Sequence, residues 1–505
     1  MLFSAELANF KRFAFHLSLN RSVFGPHGRY LAVAALACAC PLFFVSAARA
    51  GLKHDLNAIL SDPVLKGGID GVVVADQKTG KVLYARNADT LLIPASNRKL
   101  FTGAAALALM GPDRREETDV LAAQQPIGQD GVEGGPLYLR GGGDPLLSPA
   151  DLDAMASSLA REGLKRVDGG IVADDTLFAP ERWGDGWQQD ALLASYSPEI
   201  HALEVNEGIA TVAFHGGAKP GDPTTYTAGP ETSYYTVVDK VVTGPEGSAP
   251  EIDYDRALDG TVFTYTGSIP PNSSPDPEAD ATDGQITVPD VPLYAATIFA
   301  EKLKAAGVDV EGPVELGKTP AGADVLASRE SIPMSQMLAA MFKPSDNLIA
   351  EVLTRLEDAG QGHPATYDGG AAKEDAFLRT LGIGPDVHKF VDGSGVSRID
   401  LVTPRAEADL LLAMARRPDF PIYYDALSIM GVDGTAKYRL RGTPVAGNAH
   451  VKTGTLRRCR SLSGYITDKG GRKLVFVILM NNHLCSARQL GGVQDRIVLR
   501  LAGQR

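Results

Sequence analysis

The sequence predicts a mixed α/β (α+β) protein of 505 residues, in which an antiparallel sheet is flanked by helices and interrupted by a long insertion. The chain ends in apolar strands separated by a tight turn, and an Ala/Leu-rich helix follows a hairpin near its start. Between these ends, residues 209–326 are rich in Thr, Val, Tyr, Pro and Gly and carry only short strand signals.

The composition is that of an ordinary globular protein, with 44% apolar residues, 22% charged residues and a net charge of −12. An acidic chain argues against a nucleic-acid partner, which requires a basic surface. A local cationic cleft can still attract anionic substrates. The nine His are scattered and no Cys/His cluster has metal-ligand spacing, so no metal and no cofactor are predicted.

The first fifty residues have the order of an export leader. Basic residues precede an uncharged run over 31–45, and Ala48, Arg49 and Ala50 fit the small-x-small cleavage rule. The run is short for a membrane span, although a retained anchor is the alternative. We therefore expect residues 1–50 to be a signal peptide and the mature chain to be exported to the periplasm, with at most peripheral membrane contact.

Removal of that leader leaves Cys459 and Cys485, which can pair in an oxidising compartment. Counting back from a predicted turn over 468–471 places Cys459 opposite Met480 rather than Cys485. The sequence leaves the pairing open.

The first element after the leader is a hairpin over 71–85, followed by an Ala/Leu-rich helix that starts at Ser96. Residues three apart lie on one helix face, so Ser96 and Lys99 can meet there. A serine hydroxyl becomes a nucleophile when a base takes its proton, and a lysine with a lowered pKa can be that base. By itself the pattern also arises by chance.

Further along, a strand that ends near Pro145, a helix over 148–162 capped by Ser148, and a strand over 169–175 predict a small α/β unit. The triple glycine over 141–143 lacks a phosphate-binding pattern and is interpreted as a turn. An exposed loop over 270–284 and a helix over 293–306, ended by Gly307, follow.

Two more motifs lie in the last third of the chain. Ser345 and Asn347 stand in a predicted loop between helices over 334–341 and 348–357, where side chains can point into a cleft. Lys452 and Gly454 lie on a predicted strand over 450–455. Taken singly, the first motif is equally typical of turn and cap residues, and the second of an exposed edge strand.

Together, Ser96-x-x-Lys99, Ser345-Asp-Asn347 and Lys452-Thr-Gly454 resemble the three motifs of serine penicillin-binding proteins and β-lactamases. The 249 residues between Ser96 and Ser345 resemble the long insertion of the penicillin-binding protein 4 type of D-alanyl-D-alanine carboxypeptidase/endopeptidase, peptidase family S13. Further similar stretches are Gly142–Pro145, Ala202–Asn206, Asp392–Arg398 and Val402–Pro404.

This resemblance implies a β-lactamase/transpeptidase-like catalytic domain with two nested, smaller inserted domains. The catalytic domain would comprise 51–116 and 327–505, the strand-rich insert 117–135 and 199–326, and the small α/β insert 136–198. The implied partners are peptidoglycan stem peptides as substrates and β-lactam antibiotics as covalent inhibitors, while a homodimer is left open.

The resemblance also implies the roles of the catalytic residues. Ser96 would attack the carbonyl between two D-alanines, and Lys99 would act as the base, its pKa lowered by the charge of Lys452. Ser345 would pass a proton to the departing amine. Asn347 would bind the substrate's amide and orient Lys99.

Substrate binding is implied for further residues. Lys452 and Thr453 would hold the terminal carboxylate, Gly454 would let the substrate strand approach the sheet edge, and the N–H groups of Ser96 and Thr455 would bind the oxyanion. Asp190 would bind the free amino group of the peptide side chain.

Two alternatives stay open: a β-lactamase or esterase on the same scaffold, and a non-catalytic peptidoglycan-binding scaffold. β-Lactamase relatives activate water with a glutamate, for which the sequence offers no counterpart. This favours an enzyme that penicillin traps over one that destroys penicillin. The Asp392-Gly-Ser-Gly segment is interpreted as loop structure rather than chemistry.

Overall fold

A computed structural model describes residues 51–123, 131–273 and 284–503. The predicted leader over 1–50 and most of the predicted loop over 270–284 lie outside the described residues. The chain divides into two units, residues 1–61 and 62–505. In the first unit the described residues form a helix over 51–59, α1. The second unit holds every element considered below.

Strands and short bridges recur along the whole second unit. They are β1 (Ile69–Asp76), β2 (Val82–Arg86), β3 (Glu117–Ala122), β4 (Val132–Glu133), β5 (Leu137–Arg140), β6 (Arg166–Val167), β7 (Ile171–Asp174), β8 (Ile209–His215), β9 (Thr225–Gly229), β10 (Thr236–Thr243), β11 (Glu251–Asp255), β12 (Val262–Ile269), β13 (Gln285–Thr287), β14 (Asp309–Val310), β15 (Val314–Leu316), β16 (Asp324–Glu330), β17 (His388–Lys389), β18 (Leu401–Val402), β19 (Ser428–Ile429), β20 (His450–Leu456), β21 (Cys459–Thr467) and β22 (Lys473–Asn481).

The helices concentrate in the parts of the chain that flank the insertion. They are α2 (Arg98–Met110), α3 (Pro149–Arg161), α4 (Val291–Ala305), α5 (Met334–Phe342), α6 (Asn347–Leu356), α7 (Tyr367–Thr380), α8 (Pro404–Met414), α9 (Phe420–Ala426) and α10 (Ala487–Leu501). None of the helices in the described residues combines the length and the apolar composition that a membrane span requires.

The largest sheet is antiparallel and joins distant parts of the chain, in the order β19-β20-β21-β22-β1-β2 among the described strands. Its centre pairs β1 with β22, placing Val73 opposite Val477. Helix α8 packs on β1 and β22, and α10 packs on β21. Apolar side chains on both faces are buried, as the sequence pattern of β22 predicts.

The predicted register of the last hairpin is wrong by one residue. Cys459 lies opposite Asn481, not Met480. The loop runs from Asp468 to Arg472, closed by a hydrogen bond between the Asp468 N–H and the Arg472 carbonyl (2.9 Å), so it is one residue longer than the predicted turn. Cys459 and Cys485 are both free thiols.

The inserted part contains the predicted β-α-β unit, in which β5 and β7 are parallel and α3 connects them. Ser148 caps α3, and Asp151 completes a capping box. These strands belong to a sheet ordered β15-β7-β5-β3-β16 among the described strands. Because β3 pairs with both β5 and β16, segments assigned to different predicted domains share this sheet. The domain boundaries stay a prediction.

Helix α2 lies at the centre of the helical layer. Its side chains from Arg98 to Leu107 are buried, and it packs against α5, α6 and α7. One apolar cluster contains α2 and these neighbours, and a second contains the strands of the insertion together with α4. The buried helix that the Ala/Leu-rich run predicts is therefore present, and it carries the residues considered next.

Candidate active site

Ser96 lies in a single 3₁₀ turn, Ala95–Asn97, immediately before α2. The sequence places it in the first turn of the helix itself, whereas the helix begins at Arg98. Ala95 has a φ of 50°, a left-handed conformation that non-glycine residues rarely adopt and that tightens this turn. In a 3₁₀ turn residues three apart lie on the same side, so Ser96 still faces Lys99.

Lys99 connects Ser96 to two other segments. Its Nζ donates to Ser96 Oγ at 3.3 Å, to Asn347 Oδ1 at 2.6 Å and to the Ser394 carbonyl at 2.8 Å. The side chain is fully buried. Three acceptors around one ammonium fix its position, so the amine is held against the serine hydroxyl without freedom to turn away.

Burial lowers the pKa of Lys99 to about 8, although the carboxylates of Asp392, Asp346 and Glu351 act in the opposite direction. A substantial fraction of the amine is therefore neutral near pH 8. A neutral amine in contact with a serine hydroxyl can accept its proton, which is the pairing that nucleophilic catalysis requires.

The Ser345–Asn347 segment connects α5 to α6 and turns sharply, because Ser345 has a φ of 69°. Asp346 caps α6 by accepting from the Ile349 N–H at 2.7 Å. Asn347 reaches the opposite way: its Oδ1 accepts from Lys99, and its Nδ2 donates to the Tyr196 carbonyl at 2.6 Å. The cap holds the helix while the residues on either side of it face Lys99 and Lys452.

Asp346 has a second partner that the sequence does not suggest. The carboxyl of Glu207, from the insertion, forms a hydrogen bond with that of Asp346. Burial raises the pKa of both groups, and that of Glu207 reaches about 7. Two adjacent buried carboxyls share a proton because both cannot be ionised at low cost. This pair and the Tyr196 carbonyl attach the insertion to the loop.

Lys452 lies on β20 and is also fully buried. Its Nζ donates to Ser345 Oγ at 2.7 Å and to the Thr453 carbonyl at 2.8 Å. Burial lowers the pKa of Lys452 well below its usual range, and the charge of Lys99 lowers it further. The like-charge effect expected from the sequence thus acts on Lys452, whereas burial dominates at Lys99.

The residues after Lys452 differ in their surroundings. Thr453 is half-buried and its Oγ1 lies 2.6 Å from Thr435 Oγ1, while Thr455 is exposed. A Cβ added to Gly454 would collide with Ser461 Oγ and stand 2.9 Å from the backbone N of Ser96. Gly454 therefore leaves room for the turn that carries Ser96, a packing reason separate from the predicted approach of a substrate.

A buried polar network holds this turn against the sheet. Asn97 Nδ2 donates to Glu407 Oε1 at 2.7 Å and to Ser463 Oγ at 2.8 Å. Ser461 Oγ donates to the Pro94 carbonyl at 2.7 Å. Each of these side chains lies in the interior, where hydrogen bonds fix geometry more strongly than exposed contacts do.

The Asp392-Gly-Ser-Gly segment contributes a carbonyl to the site through Ser394. The segment is held by Glu351, which accepts from the backbone N–H groups of Gly393 and Ser394 at 2.8–3.0 Å. Arg98 donates to the Asp392 carbonyl at 2.8 Å and forms a buried bidentate ion pair with Glu374. The loop therefore orients Lys99 without supplying a reactive side chain.

Asp190 is placed apart from the other predicted residues. It lies in the 3₁₀ turn Gln189–Ala191, and its side chain is exposed. The connection to the site runs through Trp187, whose Nε1 donates to Asp392 Oδ2 at 2.9 Å. Asp190 thus stands on a segment anchored beside the site, while its own carboxylate faces solvent.

The structure brings Ser96, Lys99 and Asn347 into one hydrogen-bonded group and Ser345 and Lys452 into a second, and the Ser345–Asn347 segment joins the two. The site also includes Asn97, Ser394, Thr435 and Tyr196, which were missed by the sequence analysis. Asn97 carries no distinguishing sequence signal, because it stands in a polar run with Ser96, Arg98 and Lys99. Among the described residues, no group of three or more His, Cys, Asp or Glu is arranged to hold a metal ion.

Comparisons with known proteins identify relatives of the chain. The chain is 38% identical over 468 residues to a D-alanyl-D-alanine carboxypeptidase of an Actinomadura species, covering 89% of this chain and 84% of that protein. It is 27% identical over 428 residues to the D-alanyl-D-alanine carboxypeptidase DacB of Haemophilus influenzae, covering 84% and 88%.

The fold matches that of penicillin-binding protein 4 from Haemophilus influenzae with a TM-score of 0.76 and 25% identity, covering 88% of this chain and 98% of that structure. This confirms the predicted fold class. Residues 52–504 match the family described as D-Ala-D-Ala carboxypeptidase 3 (S13). The resemblance inferred from the three motifs is thereby confirmed, and the chain belongs to the S13 family of D-Ala-D-Ala carboxypeptidases.

Proposed function

We propose that this chain is a serine D-alanyl-D-alanine carboxypeptidase that cleaves peptidoglycan stem peptides through an acyl-enzyme on Ser96. One observation carries the proposal: the Lys99 ammonium contacts both Ser96 Oγ and Asn347 Oδ1, while Lys452 contacts Ser345 Oγ. Five residues from three distant motifs thus form two hydrogen-bonded lysine–serine pairs, and Asn347 contacts the first of them.

In the acylation step, neutral Lys99 takes the proton of Ser96 Oγ as the oxygen attacks the carbonyl between the two D-alanines. The N–H groups of Ser96 and Thr455 receive the oxyanion. The close packing of Gly454 against the Ser96 backbone supports this, because it brings the strand that carries Thr455 beside the nucleophile.

Collapse of the tetrahedral intermediate expels the terminal D-alanine, whose amine takes a proton from Ser345. Lys452 resupplies Ser345 across their 2.7 Å hydrogen bond. Before cleavage, Lys452 and Thr453 hold the carboxylate of that D-alanine, and a bound carboxylate favours the charged form of Lys452. Asn347 binds the peptide amide while keeping Lys99 in place.

Before deacylation, the proton that Lys99 took from Ser96 replaces the one that Lys452 gave up, so Lys99 is neutral again. Lys99 then takes a proton from the attacking water and returns it to Ser96 Oγ as the ester bond breaks, which releases the shortened peptide and completes turnover. β-Lactams acylate the same serine and leave an ester that this site hydrolyses slowly, since the sequence offers no counterpart of the glutamate that activates water in β-lactamases. A Haemophilus influenzae penicillin-binding protein 4 structure is complexed with a β-lactam, and that relative shares the fold. We expect covalent inhibition of this chain in the same way.

The chain acts in the periplasm after removal of residues 1–50, with at most peripheral contact with the membrane. The order of basic, apolar and small residues in the leader supports export. Fractionation followed by N-terminal sequencing tests this, and the expected first residue is Gly51.

The deciding experiment incubates the mature protein with purified muropeptides and identifies the products by mass. Release of one D-alanine from pentapeptides is expected, and cleavage of cross-linked dimers would add endopeptidase activity. The Ser96→Ala variant serves as the control. Turnover of nitrocefin in place of stable acylation would favour the β-lactamase alternative, and no acylation at all would favour a binding scaffold.

A further inference from the structure

One stretch of this acidic chain is free of acidic residues. From Gly434 to Thr467 there is no Asp or Glu, although the net charge of the whole chain is −12. The basic residues of this stretch are Lys437, Arg439, Arg441, Lys452, Arg457, Arg458 and Arg460. Lys452 belongs to the site and Arg439 is paired with Asp495 at 2.7 Å, so neither is available to an outside partner.

Two of the remaining basic residues form an exposed group with Tyr438 beside the site. Arg441 lies over the ring of Tyr438, with its guanidinium carbon 4.5 Å from the ring centroid, and Lys437 Nζ lies 5.3 Å from the same centroid. Tyr438 is 73% exposed. The contact between Thr435 and Thr453 holds the start of this segment against β20.

A second exposed group lies at the far end of β20. Arg457 and Arg458 form the tip of the hairpin between β20 and β21. Arg398 joins them by donating to the Arg457 carbonyl at 2.9 Å. Thr453 and Arg457 are four positions apart on an extended strand, which places them about 13 Å from each other. We call Arg398, Lys437, Arg441, Arg457 and Arg458 the basic collar.

The collar cations lack carboxylate partners in the part of the chain that the structure describes. None of the five forms an ion pair with a carboxylate in the described part of the chain, whereas other surface cations do, such as Arg405 with Asp89. Five unpaired cations around one strand, in an otherwise acidic protein, form a positive region that attracts anions over roughly the Debye length of about 8–10 Å.

The strand between the two groups is open on its outer side. In the described sheet β19 pairs with β20 only at His450 and Val451, so the edge from Lys452 to Leu456 has no strand beside it. An extended peptide laid on this edge passes from one group of the collar to the other.

We propose that the basic collar docks the carboxylate-bearing peptidoglycan polymer on both sides of the stem peptide held by the active site. This inference rests on the proposed function, since it names the polymer whose peptide is cleaved. Neighbouring stem peptides of one glycan strand supply carboxylates that a short free peptide lacks. An anionic bilayer pressed against the collar would instead cover the edge on which substrate must lie.

Two charge-reversed variants test the collar, Lys437→Glu with Arg441→Glu, and Arg457→Glu with Arg458→Glu. Lys78→Glu with Lys81→Glu is the matched control, because both lysines are exposed at the β1–β2 turn on the opposite edge of the same sheet. Binding is measured by co-sedimentation with purified sacculi over a range of salt concentrations, and activity by hydrolysis of a blocked tripeptide that ends in D-Ala-D-Ala.

We expect each collar variant to bind sacculi about tenfold or more weakly at low salt, with a flatter salt dependence, while the control binds like wild type. Tripeptide hydrolysis should stay within about twofold of wild type, because no collar side chain touches the reacting atoms. Wild-type binding should fall to the same extent on sacculi whose carboxyls have been blocked as amides.

Sacculus binding that is unchanged in both variants would overturn the proposal. So would equal wild-type binding to blocked sacculi, or stronger collar-dependent binding to phosphatidylglycerol vesicles than to sacculi. The two assays test the proposed function and the role of the collar independently. Absence of tripeptide hydrolysis by wild type contradicts the proposed function, while the sedimentation assay still reports on the collar.

Discussion

Two short 3₁₀ turns carry functional residues in this molecule, and their surroundings differ. The turn Ala95–Asn97 is buried, and its polar groups are bonded to Glu407, Ser461 and Ser463. The turn Gln189–Ala191 has no buried residue, and its segment is anchored on either side, by Trp187 before it and by the Leu192 carbonyl, which accepts from Thr287 Oγ1 at 3.1 Å, after it. The first turn positions the serine proposed as nucleophile, and the second presents a carboxylate to solvent.

The difference indicates that bond making and substrate recognition need different surroundings. Bond making requires the reacting atoms to be positioned to within a few tenths of an ångström, so the residues that react are held by buried networks. Recognition of a flexible, hydrated side chain tolerates looser geometry, and an exposed ion pair contributes only about 0.2–1 kcal/mol. Substitutions at the two turns should therefore differ by orders of magnitude in their effect.

The largest effect is expected for Ser96→Ala. The variant lacks the oxygen that forms the ester, so it should not be labelled by fluorescent penicillin and should lose about 10³-fold or more in kcat/KM. Gel fluorescence measures the labelling, and circular dichroism checks that the variant is folded. Labelling at wild-type stoichiometry would exclude Ser96 as the nucleophile.

The next largest effect is expected for Lys452→Ala. This change removes the cation that holds the terminal carboxylate and leaves Ser345 without its proton source, so kcat/KM on D-alanine-terminated peptides should fall by about 10² or more. Steady-state hydrolysis measures it. A loss smaller than that of Asp190→Ala would contradict the proposed assignment of roles.

The pH dependence of acylation should follow Lys99. Because the pKa of Lys99 is lowered to about 8, the amine is protonated and inactive as a base below that value. The rate of β-lactam acylation should rise about tenfold per pH unit below about pH 7 and level off above about pH 8. Stopped-flow measurement tests this, and a flat profile between about pH 6 and pH 9 would exclude Lys99 as the base.

A smaller effect is expected for Gly454→Ala, which adds a methyl group against Ser461 and the backbone of Ser96. Overpacking of this kind costs about 1–3 kcal/mol in the free energy of unfolding, and we expect a roughly tenfold loss of acylation rate as the turn shifts. Gly492→Ala is the matched control, since a Cβ there meets no atom within 4 Å. Equal behaviour of the two variants would contradict the close packing.

The smallest effect is expected for Asp190→Ala. Because the carboxylate is exposed, its loss should raise KM by about two- to fivefold on peptides with a free side-chain amine and leave acetylated peptides unaffected. Parallel assays on the two substrates measure this. A loss as large as that of Lys452→Ala would show that the exposed turn closes over the substrate and would remove the contrast between the turns.

Much of the site could be predicted because its residues are encoded locally. Ser96 and Lys99 are three residues apart, and Ser345 and Asn347 share one loop, so each short motif is recognisable in the sequence. The order of the last strands and the cap at Ser148 follow from alternation and turn chemistry in the same way. The grouping of the motifs in space came from family resemblance, not from periodicity.

What could not be predicted depends on contacts between distant backbone groups. Lys99 is held by the backbone carbonyl of Ser394, and Asn347 by the backbone carbonyl of Tyr196. Every residue has a backbone carbonyl, so no residue type in the sequence indicates these contacts. The pairing of Glu207 with Asp346 joins carboxyls 139 residues apart in sequence. The register error at Cys459 came from one extra loop residue, which local composition does not reveal.

The segment before the Ser96 turn is bonded to the end of β22, a distant part of the chain. Ile93, just before the Ser96 turn, bonds through its backbone to the side chain of Asn481 at 2.7 Å and 3.1 Å, across 388 residues. Closing so long a loop is slow, and contacts of high sequence separation form late in folding. The insertion is closed over a shorter separation, because β3 pairs with β16 across at most 213 residues. In a chain made from its N-terminus, Ser96 is therefore synthesised long before the strand that completes the sheet, and its turn is fully held only once residue 481 is available.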